Sequence, residues 1–101
     1  TAAHRYAEIA RFIGLEGACD NCLVDALIAE LKKMNQALNI PACIKDYEGG
    51  IIDEKEFMEK LPKVAELAIG DACTGTNPRI PTQEEMEKLL KACFYDEQID
   101  F

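Results

Sequence analysis

The sequence of 101 residues contains no tryptophan and only one histidine, and its 11 lysines and arginines are outnumbered by 19 aspartates and glutamates. A single histidine cannot form a catalytic dyad or a nitrogen-rich metal site, so we interpret His4 as a solvated side chain. The net charge of −8 opposes binding to nucleic acid or to anionic membranes, because both attract clusters of Lys and Arg. The sequence therefore predicts neither kind of partner.

Long apolar runs are also missing, and none approaches the roughly 18 residues of a membrane span. No signal peptide is visible, which predicts a cytoplasmic protein, and the start on Thr1 is interpreted as processing or as a fragment. An odd number of irregularly spaced cysteines is not typical of a secreted disulfide framework. We therefore expect free thiols at Cys19, Cys22, Cys43, Cys73 and Cys93.

What the sequence does contain is helical periodicity, which begins in the segment AAHRYAEIARFIG. Tyr6, Ile9, Ala10 and Ile13 are spaced as one face of a helix. Gly14 follows at a position where a left-handed residue ends a helix. The segment is predicted to be an amphipathic helix that ends at this glycine.

The longest predicted helix lies in DNCLVDALIAELKKMNQALNI, with Asp20 as its N-cap and Pro41 beyond its end. One stripe of this helix is apolar except at Asn35, and it is expected to face the core. Its members are Val24, Leu27, Ile28, Leu31, Asn35 and Leu38.

A third helix is predicted to begin after Asp53, which caps it and forms a capping box with Glu56. Gly49-Gly50 marks the preceding turn, and Ile52 and Phe57 form a hydrophobic staple. Pro62 is expected to break or kink this helix and to start a new one, because proline does not suit a helix interior. The predicted inward residues on the two sides of the break are Phe57, Met58, Leu61, Val64, Leu67 and Ala68.

Thr82 and Glu85 form a second capping box, which predicts the start of the last helix. Its buried face is expected to carry Met86, Leu89, Leu90, Cys93 and Phe94. No segment alternates at a period of two for long enough to predict a strand. The sequence thus predicts an all-α fold of about five helices, with residues 1–101 in a single domain.

The pattern Cys19-Asp-Asn-Cys22 at a predicted helix start permits three interpretations. It fits a thiol redox pair, because a helix N-terminus favours a thiolate, or one half of a zinc site. A redox fold would require a preceding strand, and zinc would require a second ligand pair, and the sequence contains neither. We therefore favour packing and capping at a turn.

The stretch DACTGTNPRIP, residues 71–81, interrupts this helical pattern. The larger segment LAIGDACTGTNPRIPTQEEMEKLLKACF, residues 67–94, resembles the C-terminal end of the iron-containing alcohol dehydrogenases. Its D-x-C-T-G-x-N-P-R motif is most similar to the alcohol dehydrogenase half of bifunctional aldehyde–alcohol dehydrogenases. RYAEIARFIGLEG and LVDALIAELKKMNQALNIPACIKDY also resemble this family, so the similarity extends over nearly the whole chain.

The resemblance implies that this chain is the last helical part of a larger catalytic domain. In that family an α/β domain binds NAD(P), and a helical domain holds iron or zinc through one aspartate and three histidines, all from segments that precede the region matched here. His4 does not match a ligand, and no glycine-rich cofactor loop is present, so we expect no catalytic, metal-binding or cofactor-binding residue in this chain. Cys73 matches a family cysteine near the pocket and is expected to form part of the substrate-pocket wall, with a buried packing thiol as the alternative.

The resemblance further implies an NAD-linked enzyme that interconverts short-chain aldehydes and alcohols when its chain is complete, with the isolated chain inactive. The expected partner is the remainder of the dehydrogenase chain, and apolar surface left uncovered at Tyr6, Phe12, Val24 and residues 73–81 predicts self-association. An independent helical protein-interaction module without enzymatic activity is the alternative. A thiol redox or zinc protein using Cys19 and Cys22 is a third. For Arg79, both a carbonyl at a helix end and a carboxylate remain open as partners.

Overall fold

The computed structural model describes residues 2–101, and Thr1, together with the interpretation of its position, lies outside that range. The described residues form four α-helices, α1 (Ala2–Phe12), α2 (Asp20–Ala37), α3 (Glu54–Gly70) and α4 (Gln83–Tyr95). Two short 3₁₀ segments, Ile44–Gly49 and Thr74–Thr76, lie in the connections. Over these residues the structure contains helices and turns without a strand, which confirms the all-α prediction.

Residue contacts divide the chain into two compact units, of which the first ends at Ile40 and the second spans Pro41–Phe101. The first unit contains α1 and α2, and the second contains α3, α4 and both 3₁₀ segments. That residues 1–101 fold as one domain remains a prediction.

Helix α1 ends in a pair of backbone hydrogen bonds around Gly14. The Gly14 N–H donates to the Arg11 carbonyl at 3.0 Å, and the Leu15 N–H donates to the Ala10 carbonyl at 2.9 Å. Gly14 has a φ of +86°, in the left-handed region that glycine adopts without strain. This is the Schellman arrangement, and it confirms the predicted helix end.

Helix α2 begins one residue earlier than predicted, because its N-cap is Cys19 and not Asp20. The Cys19 Sγ accepts a hydrogen bond from the Cys22 N–H at 3.2 Å. Asp20 is the first helical residue, and its carboxylate accepts from Arg11 Nη2 at 2.7 Å and from His4 Nδ1 at 2.9 Å. Hydrogen bonds from His4, and then from Arg11, lower the pKa of Asp20. The capping prediction for Asp20 was wrong because α1 supplies two competing donors.

The core of the first unit is built mainly from small residues. Ala7, Ala10 and Leu23 are fully buried, with Leu15 and Leu27 packed against them. An alanine on one helix allows a close approach of the other, so Leu23 packs against α1. The predicted stripes are therefore only partly confirmed, since about half of the surface of the following side chains is exposed: Tyr6, Ile9, Ile13, Ile28, Leu31 and, still more exposed, Leu38.

Helix α3 begins as predicted and then continues through the predicted break. The Asp53 carboxylate accepts from the Glu56 N–H at 2.7 Å, whereas the Glu56 carboxylate accepts from Lys60. Pro62 lies inside the continuous helix, so the prediction of a break there was wrong. Packing of the buried Leu61 and Ala65 on either side of the proline offsets the loss of one backbone hydrogen bond.

Helix α4 begins at the predicted capping box. The Glu85 N–H donates to Thr82 Oγ1 at 3.2 Å, and the Thr82 N–H donates to the Glu85 carboxylate at 2.9 Å. Phe94 is fully buried and stacks at a tilt on Phe57, with 4.4 Å between the ring centroids. Burial is confirmed for Met86 and Phe94, but Cys93 is exposed and Leu89 is partly so.

The face of α4 that is buried in its unit contains Ala92 and not Cys93 or Leu89. Ala92 is buried in their place, together with Leu61, Ala65, Met86 and Phe94. On α3, Val64 and Leu67 were expected to face inward but remain exposed. In both units the observed core is smaller and richer in alanine than the periodicity predicts.

Two glycines provide a matched test of this packing. A Cβ on Gly17 would lie 3.1 Å from Leu23 Cγ and 3.2 Å from the Leu23 amide nitrogen, whereas a Cβ on Gly70, the last residue of α3, would meet no atom within 4 Å. We expect Gly17→Ala to lower the free energy of unfolding by about 1–3 kcal/mol through overpacking. Gly70→Ala should raise it by up to about 1 kcal/mol, because alanine favours the helix.

Urea unfolding of the chain, followed by circular dichroism, measures both effects. Equal shifts of the two unfolding midpoints, or a stabilising Gly17→Ala substitution, would contradict this account of the α1–α2 packing.

Candidate functional site

The loop of residues 71–81 joins α3 to α4, and its first turn is closed by an aspartate. Asp71 is the C-cap of α3, and its carboxylate accepts from the Cys73 N–H at 2.7 Å. The Thr74 N–H donates to the Asp71 carbonyl at 3.1 Å. Asp71 thus fixes the backbone on both sides of Cys73, as short polar side chains do in turns.

The two threonines of the loop bind backbone carbonyls and not solvent alone. Thr74 Oγ1 donates to the Ala68 carbonyl at 2.6 Å, which ties the loop to the last turn of α3. Thr76 Oγ1 donates to the Cys73 carbonyl at 2.8 Å, inside the 3₁₀ turn Thr74–Thr76. Gly75 does not have a positive φ, so the expected use of its conformational freedom is not observed.

Arg79 holds the second half of the loop against the start of α4. Its Nη2 donates to the carboxylate of Glu85, and its Nη1 donates to the Phe101 carbonyl at 3.2 Å. Its guanidinium also lies 5.0 Å from the centroid of the Phe101 ring. Of the two partners left open by the sequence, the carboxylate is therefore used, whereas the carbonyl that Arg79 binds belongs to Phe101 and not to a helix end.

Glu85 accepts this arginine while it also closes the capping box of α4. The hydrogen bond from the Thr82 backbone, and then the charge of Arg79, lower the pKa of Glu85. An ionised carboxylate at a helix start is also favoured by the helix dipole. One side chain therefore serves the loop and the helix together.

Cys73 is exposed on this anchored loop and carries a free thiol. Within this chain the sulfur is accessible, on a loop whose two ends are fixed. Its role in the complete protein, as pocket wall or as packing thiol, remains a prediction.

A second feature, which sequence reasoning missed, is an apolar groove of about 430 Å³ beside α3. Ile51, Phe57, Leu61, Val64 and Leu90 supply most of its apolar lining, and Asp53, Glu56 and Lys60 lie at its polar positions. Ile52 and Phe57, the residues of the predicted hydrophobic staple, both line the groove. The staple pattern in the sequence could therefore have indicated where the groove lies. Such a groove can receive apolar side chains from another segment.

The donor groups of residues 2–101 do not form a metal centre of three or more ligands. Among residues 2–101 no group of three or more histidine, cysteine, aspartate or glutamate side chains is placed to hold an ion. The single histidine, His4, instead lies against Asp20 and 3.7 Å from a Glu8 oxygen. These residues by themselves therefore do not supply the four-ligand site implied above.

The cysteine pair at the start of α2 departs from the expectation of free thiols. Cys19 and Cys22 are joined by a disulfide, with their Cα atoms 5.1 Å apart. Their spacing places both sulfurs on the first turn of the helix. Cys43, Cys73 and Cys93 are free, as expected.

The comparison with known families decides what this loop and these helices belong to. The sequence model of the Fe-containing alcohol dehydrogenase family, C-terminal, matches residues 1–94, which include the whole 71–81 loop and nearly all of α4. The chain belongs to the iron-containing alcohol dehydrogenase family. The resemblance seen in its sequence is thereby confirmed.

Several relatives show which part of such a dehydrogenase the chain represents. A NADPH-dependent butanol dehydrogenase of Clostridium saccharobutylicum is 43% identical over 101 residues, which cover 100% of this chain and 25% of the relative. An aldehyde-alcohol dehydrogenase of Clostridium acetobutylicum is 43% identical over 90 residues, covering 89% of this chain and 10% of the relative. A bifunctional aldehyde-alcohol dehydrogenase of Escherichia coli is 36% identical over 96 residues, covering 93% and 10%.

The chain therefore spans only a tenth to a quarter of these relatives, and it corresponds to the C-terminal part of the family. The prediction of an all-α C-terminal fragment is confirmed. None of the helices within residues 2–101 has the length and apolar character needed to cross a bilayer.

Proposed function

We propose that this chain is the C-terminal helical part of an iron-dependent, NAD-linked alcohol dehydrogenase that interconverts short-chain aldehydes and alcohols. The family match over residues 1–94 carries this proposal. The relatives include aldehyde-alcohol dehydrogenases, which supports the aldehyde–alcohol interconversion, and a butanol dehydrogenase, which supports short-chain substrates. In the complete enzyme, iron or zinc and NAD would be bound by segments outside this chain.

In this proposal Cys73 forms part of the substrate-pocket wall. Its support is the loop geometry, in which Asp71 holds the backbone at Cys73 and Arg79 fixes the far end to Glu85. A loop held at both ends can present a side chain at a defined position to the segment that faces it. The role assigned to the thiol is steric, without covalent or metal chemistry.

The remainder of the dehydrogenase chain is the proposed partner of the apolar surface. Phe12 is 91% exposed, Leu67 is 62% exposed, and the groove beside α3 is open to solvent. Large apolar patches on a soluble protein commonly mark an interface. Since the chain is about a quarter as long as one of its relatives, a covering segment is available within the same polypeptide. The proposed setting is reducing and cytoplasmic, which the free thiols of Cys43, Cys73 and Cys93 support and to which the Cys19–Cys22 disulfide is the exception.

The test compares the full-length protein with the 101-residue chain in the same assay. We expect the iron-loaded full-length protein to oxidise NADH with acetaldehyde or butyraldehyde and to bind iron stoichiometrically. The isolated chain should give neither turnover above the blank nor stoichiometric iron or zinc, because residues 2–101 contain no group of three or more metal-binding side chains. Parallel assays with NADPH decide the choice of cofactor.

Turnover by the isolated chain would contradict the assignment of the active site to other segments. A full-length protein that binds iron yet reduces neither aldehyde with either cofactor would overturn the proposed activity itself.

Substitutions at Cys73 in the full-length enzyme test the wall assignment. We expect Cys73→Phe to raise KM or to shift the preferred substrate chain length, because the larger ring narrows the pocket. Cys73→Ala should keep most of kcat, because a wall residue supplies no transition-state chemistry. Steady-state kinetics with aldehydes of increasing length measures both effects.

Cys93 provides the matched control, since it is another exposed free thiol that lies outside the loop, on α4. Cys93→Phe should leave the chain-length preference unchanged. If Cys73→Ala abolishes turnover while the metal remains bound, Cys73 is not a simple wall residue.

The uncovered apolar surface predicts that the isolated chain self-associates in spite of its net charge of −8. Sedimentation velocity at several concentrations should detect dimers or larger species. Phe12→Ser, which alters the most exposed of the large apolar side chains, should weaken the association. A monomer at every concentration, without binding of an apolar dye, would instead favour a self-sufficient helical module.

A further inference from the structure

We propose that Cys19 and Cys22 form a redox-active pair, which low-molecular-weight disulfides such as oxidised glutathione convert to a disulfide and which thiols convert back. The proposal concerns a modification site at the start of α2 and does not depend on the dehydrogenase activity. None of the other three cysteines is disulfide-bonded in the structure.

The backbone at this helix start already has the geometry that a disulfide requires. The two Cα atoms lie 5.1 Å apart, inside the usual range for disulfides of about 4.4–6.8 Å. Both residues are exposed, so a small thiol or disulfide can approach either sulfur. The pair can therefore be oxidised and reduced without unfolding of α2.

The environment distinguishes the two sulfurs. Cys19 is the N-cap, and in the disulfide its Sγ accepts the Cys22 N–H at 3.2 Å. After reduction, the same N–H and the helix start would stabilise negative charge on that sulfur. Asp20, the acidic neighbour, is paired with Arg11 and His4, which reduces its repulsion of a thiolate. The geometry therefore assigns Cys19 as the attacking thiol and Cys22 as the resolving thiol.

The exchange has two steps that balance. The Cys19 thiolate attacks one sulfur of oxidised glutathione, which forms a mixed disulfide and releases one glutathione thiolate. The Cys22 thiol loses its proton to solvent, and its thiolate attacks Cys19 Sγ and releases the second glutathione. The protein loses two electrons and two protons, and one molecule of oxidised glutathione becomes two thiols.

Trypsin provides a direct measurement in the full-length protein, because residues 12–32 form one peptide with only these two cysteines. Cys43, Cys73 and Cys93 lie on three other peptides and serve as internal controls. The protein is equilibrated in buffers of varied ratios of reduced to oxidised glutathione, quenched with acid, alkylated and analysed by mass spectrometry. As the ratio of reduced to oxidised glutathione falls, we expect the doubly alkylated form of peptide 12–32 to be replaced by a form without alkyl groups. The mass of that form should be two hydrogen atoms below the mass of the peptide with two free thiols.

Serine variants test the order of attack. Cys19→Ser keeps a side-chain cap at the start of α2, because serine caps helices well. In Cys22→Ser, Cys19 should form a stable mixed disulfide with glutathione. This reaction should be as fast as the oxidation of Cys19 and Cys22 in the protein without the substitution. In Cys19→Ser, Cys22 should react roughly tenfold more slowly, as expected for a smaller thiolate fraction. Equal rates in the two variants would overturn the assigned order.

In the glutathione buffers, three results would overturn the redox pair as a whole. They are double alkylation of peptide 12–32 in the most oxidising buffer, a glutathione adduct on each cysteine, and a disulfide that the most reducing buffer leaves intact. Oxidation that begins only after a chelator has removed zinc would likewise overturn it, in favour of a metal-ligand pair.

Discussion

The satisfaction of backbone groups at the helix ends is the interaction on which this structure most depends, because its cores are small. The first four N–H groups of every helix lack partners within the helix and must find them elsewhere. Cys19, Asp53 and Thr82 supply side-chain acceptors at three helix starts, and Gly14 closes one helix end. Half of the buried apolar residues are alanines, which contribute little buried area: Ala7, Ala10, Ala65 and Ala92, beside Leu23, Leu61, Met86 and Phe94. Each cap is worth about 1 kcal/mol, a large share of the stability of such a chain.

The features that sequence reasoning predicted correctly are those decided within a few residues. Asp53, the Thr82–Glu85 box and Gly14 act on neighbours three or four positions away, so their patterns can be read directly. The N-cap of α2 was misplaced because Arg11 and His4, from another helix, bind the Asp20 carboxylate. Tertiary contacts also kept α3 continuous. The predicted stripes were only partly buried, since periodicity identifies an apolar face without identifying what covers it.

The candidate site shows the same division between local and distant causes. The Asp71 and Thr74 hydrogen bonds are local and follow from turn chemistry, whereas the choice of partner for Arg79 depended on where Glu85 and Phe101 lie. The importance of the loop came from its resemblance to a family, because its own residues do not complete an active site. The groove beside α3 was missed because its walls come from three parts of the chain: α3, the residues just before it and α4.

The division into two contiguous units has a consequence for how the chain acquires its structure during synthesis. All contacts that define the first unit lie before Pro41, so α1 can pair with α2 while the second unit is still being translated. Short sequence separations make the entropy cost of closing each pair small and favour rapid folding. The two units can therefore form one after the other as they leave the ribosome, each soon after its own helices have been synthesised.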